Sequence, residues 1–235
     1  MRLLVTRPDE DAASLIAALT ALGHEAVAAP LLSIRILPDV KIPDADYRAL
    51  LVTSANGVRA LGAHKARFLS LKVFAVGEAS ADAVRAAGFT EVEAAEGYVL
   101  SLSALVARRL PPEGGPLLHI AGSVVAGDLK GDLEARGFSV TRAVLYDAVS
   151  VTRLPDEAAV QLKAGRIDGV LLYSPRTART FAGLVQESGV EDSLSGVTAY
   201  CLSQAVADGL NGLGFAAIRV AAAPDQLSLL RLIEG

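Results

Sequence analysis

The sequence predicts an α/β protein with two similar parallel-sheet domains. Three observations lead to this class: short apolar runs recur, each run precedes a turn of small residues and a helix-period segment, and the two halves contain similar segments. The 235 residues suffice for two small domains, and 52% of them are hydrophobic. Because only 5% are aromatic and Trp is absent, the cores must consist mainly of Ala, Val and Leu, which is typical of buried parallel strands.

The predicted strands are the short apolar runs. In chain order they are Leu3–Thr6, Ala49–Val52, Val73–Val76, Leu117–Ile120, Gly169–Leu172 and Thr198–Cys201. Strands that alternate with helices form parallel sheets, because the helix carries the chain back to the edge where the next strand begins. We therefore expect each domain to have a parallel sheet with helices on its faces.

Internal similarity indicates that the two domains share one plan. Ala49–Ser54 resembles Gly169–Ser174, and Leu22–Val27 resembles Arg136–Thr141. Two kinds of segment thus alternate along the chain, at about residues 1–34, 45–108, 116–146 and 165–233. The residues alone leave open whether the first segment shares a domain with the second or with the fourth, since both pairings bury the same apolar faces.

The connecting stretches 34–43 and 147–155 are predicted to cross between the domains. Both contain alternating Val, Ile or Thr residues, so we expect them to pair as two short extended strands and to form a hinge. A third connector, at 111–116, is rich in Pro and Gly and is interpreted as a plain loop.

Charge and cysteine content exclude several classes of protein. With a net charge of −4 and no basic block, the chain has no electrostatic footprint for nucleic acid or an anionic membrane. The lone Cys201 excludes a disulfide framework, and we expect it to be a small buried hydrophobic residue. The N-terminal residues lack the apolar region of a signal peptide, and no long apolar stretch follows, so we expect a cytoplasmic protein.

Metal and nucleotide sites are not expected. The phosphate-binding patterns G-x-G-x-x-G and G-x-x-x-x-G-K-[ST] are absent, which argues against a nucleotide-dependent enzyme. His24, His64 and His119 have no metal-ligand spacing and form no local pair with the cysteine. A two-domain binding module for a small anionic ligand, with a hinged cleft and no chemistry, is the main alternative to an enzyme.

Small or hydroxyl-bearing residues lie where the predicted strands end and the helices begin. They include Thr53, Ser54, Gly77, Ser80, Gly122, Ser123, Ser174, Pro175 and Ser203. In a parallel sheet such turns lie at the carboxyl edge, where hydroxyls and backbone N–H groups bind ligands. Two such edges that face each other would form a cleft for a ligand with several carboxylates. Each hydroxyl also has a structural interpretation, because Ser and Thr are ordinary helix N-caps.

Tyr146 is the candidate catalytic residue. It follows Ala143–Leu145 at the end of a predicted strand, where the chain leaves its domain. Its phenol is therefore expected to point into the interdomain cleft, and a buried phenol can donate a proton to a leaving group. Asp147 is expected on the opposite side of the extended chain. The structural interpretation, an amphipathic Tyr at a domain margin, is equally compatible with the pattern.

In the order and spacing of these motifs, the chain resembles the uroporphyrinogen-III synthase family. The resemblance runs through nearly the whole chain, at Leu4–Pro8, Thr53–Val58, Ala75–Gly77, Ser80, Gly122, Leu145, Tyr146 and Tyr173–Arg176. It implies two flavodoxin-like domains joined by a two-stranded hinge, of which the first is discontinuous in sequence. The implied domains are 1–34 with 153–235, and 38–146, and the implied hinge segments are 35–37 and 147–152.

The resemblance also implies a reaction that needs neither cofactor nor metal. The linear tetrapyrrole hydroxymethylbilane loses its terminal hydroxyl as water, closes through a spiro intermediate and gives uroporphyrinogen III with the last ring inverted. This substrate is the implied small-molecule partner, and nothing in the sequence requires more than a monomer. By family analogy Tyr146 is the proton donor to the leaving hydroxyl. The implied substrate-binding groups are Thr53, Ser54, Gly77, Ser80, Gly122, Ser123, Ser174, Pro175 and Ser203.

The chain departs from the family pattern at Ser203–Val206. Relatives have a Gly there with a hydroxyl-bearing residue at the start of the helix, a form that the internal copy keeps as Gly77 and Ser80. Val206 has no side-chain donor. We therefore expect this turn to contact substrate through its backbone alone, or to form a smaller site than in relatives.

Overall fold

The computed structural model describes residues 1–125 and 127–234. Positions 126 and 235 fall inside the predicted domain ranges but lie outside the described residues. The chain forms two compact units. The first unit consists of Met1–Ser33 together with the chain from Val149 onward, and the second consists of Ile34–Ala148. The first unit is therefore discontinuous in sequence.

Strands and helices alternate through most of the described residues. The strands are β1 (Arg2–Val5), β2 (Glu25–Ala28), β3 (Leu32–Ile36), β4 (Ala49–Val52), β5 (Lys72–Ala75), β6 (Val92–Ala94), β7 (Leu117–Gly122), β8 (Val140–Ser150), β9 (Gly169–Leu172), β10 (Thr198–Cys201) and β11 (Ala217–Val220). The α-helices are α1 (Asp9–Ala21), α2 (Ala55–Leu61), α3 (Glu78–Ala86), α4 (Val99–Arg109), α5 (Leu129–Glu134), α6 (Asp156–Lys163), α7 (Pro175–Glu187), α8 (Gln204–Asp208) and α9 (Gln226–Glu234). Short 3-10 helices occupy Gly62–Arg67 and Glu191–Gly196.

The strands form two mainly parallel sheets. One has the order β11-β10-β9-β1-β2, and the other has the order β3-β8-β7-β4-β5-β6. In the first sheet β1 pairs in parallel with both β2 and β9, so segments from the two ends of the chain share one sheet. The predicted fold class is confirmed, and so are the six predicted strands, which correspond to β1, β4, β5, β7, β9 and β10.

The central strands of the two sheets are buried on both faces, to which successive side chains of a strand point in turn. In the first unit, Leu4 and Val170 belong to the core cluster on one face, whereas Leu3 and Leu171 belong to the cluster on the other. The second unit has the same two-sided arrangement. Cys201 is a fully buried member of the first unit's core, as predicted from its isolation in the sequence.

The repeated glycines have a conformational reason. Gly23 and Gly137 follow helices α1 and α5 with φ angles of 78° and 87°. Glycine adopts this left-handed conformation without steric cost, and it lets the chain leave a helix and enter the next strand. The similarity between Leu22–Val27 and Arg136–Thr141 thus reflects the same helix exit in both units.

The first residues of the predicted crossing segments, 34–36 and 147–150, lie in neighbouring strands of the six-stranded sheet. Strand β3 lies beside β8, and the backbone N–H of Leu37 donates to the carbonyl oxygen of Leu145 at 2.8 Å. Arg35 Nη2 lies 2.8 Å from Asp147 Oδ2 in an ion pair. The predicted limits of the domains and of the hinge stay predictions. Within the described residues, no helix is long and apolar enough to cross a membrane.

Candidate active site

The candidate site lies at the carboxyl edge of the six-stranded sheet in the second unit. Strands β4, β5 and β7 run parallel and end at this edge, so their turns meet there. A pocket of about 360 Å³ opens between the turns. Its described lining residues are Thr53, Ser54, Val76, Gly97, Tyr98, Val99, His119, Val124, Val125, Gly127, Leu129 and Tyr146. Three of the predicted site residues, Thr53, Ser54 and Tyr146, are among them.

Thr53 and Ser54 follow the buried strand β4 and differ in how their hydroxyls are used. Ser54 is the N-cap of α2, and its Oγ accepts a hydrogen bond from the backbone N–H of Asn56 at 3.2 Å. This is the capping role that the sequence also suggested. Thr53 Oγ1 instead lies 3.3 Å from Nε2 of His119. The Thr53 hydroxyl is therefore part of a side-chain pair within the pocket.

Tyr146 is held against the end of β7 by a glycine and a backbone hydrogen bond. A Cβ atom at Gly122 would lie 2.8 Å from Cε2 and Cζ of Tyr146, so only glycine permits this position of the ring. The backbone N–H of Ser123 donates to the carbonyl oxygen of Tyr146 at 3.0 Å. Tyr146 is only 7% exposed. The predicted residues Gly122 and Ser123 thus meet Tyr146 directly.

Arg142 fixes the turn that supports Tyr146. Its Nη2 donates hydrogen bonds to the carbonyl oxygens of Gly122, at 2.6 Å, and Ser123, at 3.0 Å. These charge-assisted bonds restrain the two residues that precede Val124 on the pocket rim. Arg142 was not among the predicted site residues. It lies on β8, whereas the turn follows β7, so the sequence gives no local signal of the contact.

His119 is a buried neutral side chain at the base of the pocket. It lies on β7 and is 3% exposed. Burial, with a smaller contribution from the positive charge of Arg142, lowers the pKa of His119 to about 4. The imidazole is therefore uncharged at neutral pH. It can form a hydrogen bond with the Thr53 hydroxyl, as donor or acceptor, but cannot supply a positive charge to the site.

Gly77 and Ser80 lie beside the pocket at the start of α3. Gly77 packs against Gly97, a lining residue: a Cβ at Gly77 would lie 3.2 Å from the Gly97 Cα. Ser80 is buried in the first turn of α3, and its backbone N–H donates to the carbonyl oxygen of Gly77 at 3.1 Å. Ser80 is not among the described lining residues, so its predicted contact with substrate stays a prediction.

The remaining predicted residues belong to the first unit, at the carboxyl edge of the five-stranded sheet. Ser174 is the N-cap of α7, where its Oγ accepts from the backbone N–H of Thr177 at 3.1 Å and lies 2.8 Å from Thr177 Oγ1. Pro175 is the first residue of the same helix, a favourable position for proline. Ser203 precedes α8 and makes no side-chain capping bond within the described part of the chain. Their predicted roles in binding stay predictions.

The apolar rim of the pocket was not predicted from the sequence. Tyr98, Val124 and Val125 line it and are 52%, 63% and 40% exposed. They come from loops, where neither helical nor strand periodicity marks a functional position. The described lining contains hydroxyls, an uncharged imidazole and apolar side chains, with no Asp or Glu. Such a lining can contact apolar groups of a ligand and can donate hydrogen bonds from its hydroxyls.

Comparisons with known proteins give a family and a fold. The family model described as "Uroporphyrinogen-III synthase HemD" matches residues 13–231. A solved uroporphyrinogen-III synthetase from Helicobacter pylori matches with a TM-score of 0.67 and 16% identity, over 100% of this chain and 99% of that one. A mutant uroporphyrinogen III synthase from Thermus thermophilus matches with a TM-score of 0.56 and 19% identity, over 100% and 97% of the two chains. No curated protein matches the chain.

Proposed function

The chain belongs to the uroporphyrinogen-III synthase family, and we propose that it cyclises hydroxymethylbilane to uroporphyrinogen III with the pocket of its second unit as part of the active site. The family match over residues 13–231 is the observation that carries the activity. The protein is thus a cyclising lyase of haem biosynthesis. The roles of individual residues are our proposal, and they are supported by the geometry of the pocket.

The reaction begins with loss of the terminal hydroxyl of the linear substrate. The C–O bond breaks, the hydroxyl takes up a proton and leaves as water, and the pyrrole nitrogen supplies the electron pair that forms an azafulvene-type cation. The substituted α-carbon of the last ring attacks the methylene carbon of this cation and forms a spiro intermediate. The bond from that α-carbon to its original methylene bridge then breaks, and the bridge carbon bonds to the free α-carbon of the same ring. Loss of one proton from this second α-carbon restores the pyrrole, balances the proton taken up by the leaving hydroxyl and leaves the ring inverted. Since the substrate supplies its own electrophile, the protein has to fold the chain and assist the departing hydroxyl.

Tyr146 is the proposed donor to the leaving hydroxyl. Tyr146 lines the pocket, its ring packs against Gly122, and the hydrogen bond from Ser123 N–H to its carbonyl oxygen restrains its backbone. A fixed donor is useful here because proton transfer requires hydrogen-bond distance at the moment when the C–O bond breaks. The neighbouring His119 is uncharged at neutral pH and makes a less suitable acid, since burial lowers its pKa to about 4.

The carboxylates of the substrate are the proposed partners of the hydroxyl and backbone N–H groups at the strand ends. In the second unit these are Thr53, Ser54, Gly77, Ser80, Gly122 and Ser123, and in the first unit they are Ser174 and Ser203. Pro175 has neither a hydroxyl nor a backbone N–H, so its proposed contact with the substrate is through its apolar ring. The apolar rim at Tyr98, Val124 and Val125 is the proposed contact for pyrrole rings. The pocket, with a volume of about 360 Å³, is the proposed site of the reacting ring.

We also propose that the protein works as a monomer in the cytoplasm, with the small tetrapyrrole as its partner and without nucleic acid or membrane. A net charge of −4 without a basic block supports the absence of a polyanionic partner. The free, buried Cys201 supports a reducing compartment. Light scattering of the purified protein should give the mass of one chain, and a dimer mass would contradict the monomer.

The test of the function is the identity of the cyclic product. Purified protein is given hydroxymethylbilane, and the oxidised products are separated into type I and type III isomers. Without an enzyme the bilane closes to type I, because ring inversion does not occur spontaneously. We expect type III in excess over a protein-free control. Type I alone from folded protein would contradict the function and would favour a binding module of the same fold.

A further inference from the structure

His119 and Thr53 form a hydrogen-bonded pair between neighbouring strands. His119 is opposite Leu51 in the parallel pairing of β7 with β4, and Thr53 lies two residues beyond Leu51. Side chains two residues apart in an extended chain share a face of the sheet, so Thr53 and His119 meet on one side of it. The distance from Thr53 Oγ1 to His119 Nε2 is 3.3 Å. Both residues line the pocket.

The second ring nitrogen of His119 decides which partner donates. Within the described residues, Nδ1 is buried and has no hydrogen-bond partner. If Nδ1 carried the proton, a buried N–H would be left without an acceptor, which is rare in folded proteins and costly. If Nε2 carries it, the N–H donates to Thr53 Oγ1 and only a lone pair at Nδ1 stays unused. The surroundings therefore favour the tautomer with the proton on Nε2.

This tautomer sets the direction of the Thr53 hydroxyl. A hydroxyl has one proton and two lone pairs, and here one lone pair accepts from Nε2 of His119. Its own proton must then point away from the imidazole. Thr53 lines the pocket and is partly exposed. A ligand in the pocket can therefore accept the hydrogen bond from the Thr53 hydroxyl. The pair presents an O–H donor to the pocket rather than an oxygen acceptor.

We propose that His119 is a positioning residue that fixes Thr53 as a hydrogen-bond donor to a carboxylate of the tetrapyrrole substrate. The inference rests on the proposed function, and it adds a residue that acts on binding without touching the reacting atoms. Because the ring is uncharged at neutral pH, it does not attract the carboxylate itself. A hydroxyl held as a donor selects an ionised carboxylate over a group that can only donate.

A matched set of variants tests this role. His119→Gln places an amide nitrogen where Nε2 lies and keeps a donor, whereas His119→Leu removes it. We expect His119→Leu to raise KM for hydroxymethylbilane about three- to tenfold, with kcat changed less than about twofold. His119→Gln should stay within about twofold of the parent KM. If the role of His119 were merely structural, both variants would have a lower melting temperature, and their KM values would not differ from each other.

Thr53→Val separates this inference from the proposed function. It removes the hydroxyl at nearly constant shape, so it should raise KM at least as much as His119→Leu does. The double variant should match Thr53→Val alone, since His119 has no hydroxyl left to orient. Raised KM in Thr53→Val but not in His119→Leu, or additive effects, would overturn the inference and leave the Thr53 assignment intact. An unchanged KM in Thr53→Val would overturn both, and absence of type III product from the parent protein would contradict the function itself.

The tautomer can also be observed without substrate. In the ¹⁵N-labelled protein at neutral pH, we expect the ring resonances of His119 to show a protonated Nε2 and an unprotonated Nδ1. His119→Gln serves to assign the signals, because it removes this ring and retains the others. A proton on Nδ1 would make Thr53 the donor to the imidazole and would overturn the inference, whatever the kinetics show.

Discussion

Replacement of Gly122 by Ala tests whether the position of the Tyr146 phenol matters for turnover. A Cβ at residue 122 would lie 2.8 Å from Cε2 and Cζ of Tyr146 and 3.2 Å from its hydroxyl oxygen. Ordinary contact begins at 3.4 Å, so the ring must retreat by about 0.6 Å. Gly122 is not among the glycines with positive φ, so alanine brings no backbone strain and acts through this contact alone.

Two quantities follow from this displacement. The crowded contact should cost about 1–3 kcal/mol of unfolding free energy, which is the usual range for overpacking. The shift of a proton donor by a large fraction of an ångström should lower kcat for type III formation about 10- to 100-fold. Initial rates with the isomers separated give kcat, and urea denaturation gives the unfolding free energy.

Gly183→Ala is the matched control for this experiment. Gly183 lies within α7, and a Cβ there would have no neighbour within 4 Å. We expect an unchanged rate and a stability gain of up to about 1 kcal/mol, because alanine favours the helix. A folded Gly122→Ala protein with the parent rate would refute the reasoning. The reasoning would also be refuted if Gly122→Ala lowered kcat in the Tyr146→Phe variant as much as in the parent protein, because that variant has no hydroxyl left to displace.

The remaining predictions concern Tyr146, His119 and Ser174. Tyr146→Phe should lower kcat about 10- to 100-fold with little change in KM, because only the phenolic donor is removed; an unchanged kcat would contradict its role. The pKa of His119 is lowered to about 4 in the folded protein, from 6.5, so the unfolded state binds more protons between these values and stability should fall as the pH drops from about 6.5 to 4. In denaturation curves of His119→Gln, the unfolding free energy should lack this part of its pH dependence. An unaltered dependence would contradict the lowered pKa of His119. Ser174→Ala should cost about 1 kcal/mol of unfolding free energy through loss of the α7 cap. If KM stays at the parent value, Ser174 is a cap and not a substrate contact.

The parts of the fold that could be predicted from the sequence are those whose burial is complete. Strands such as Ala49–Val52 and Gly169–Leu172 are continuous apolar runs because helices cover both faces of the sheet, and their limits agree with the structure. Strands β2, β6 and β11 were not among the predicted strands. They are short edge strands with partly exposed residues, so their sequences have neither a run of large apolar residues nor a clear alternation.

The candidate site was predicted in part, for a reason that lies in sequence distance. Thr53 and Ser54 could be identified because they follow the end of β4, where side chains of a parallel sheet meet a ligand. Tyr146 was predicted to lie at a strand end, and this was wrong, because β8 continues through it to Ser150. His119 was dismissed with the other histidines, since it has no nearby metal-ligand partner in sequence. Its partner Thr53 is 66 residues away, and their contact depends on the register that places His119 opposite Leu51. That register is not readable from either strand alone.

The proposed mechanism also predicts which kind of change should affect this enzyme most. The reactive cation comes from the substrate, so no side chain has to serve as nucleophile, and the chain mainly has to hold groups in position. The contacts that do so are close approaches at glycine, Gly122 against Tyr146 and Gly77 against Gly97. Changes that displace groups should therefore lower turnover at least as much as changes that delete one donor. If Gly122→Ala reduces kcat as strongly as Tyr146→Phe does, placement limits the rate. If Gly122→Ala reduces kcat much less than Tyr146→Phe does, proton donation does not depend on the exact position of the phenol. Proton transfer through an intervening water would then explain the result better.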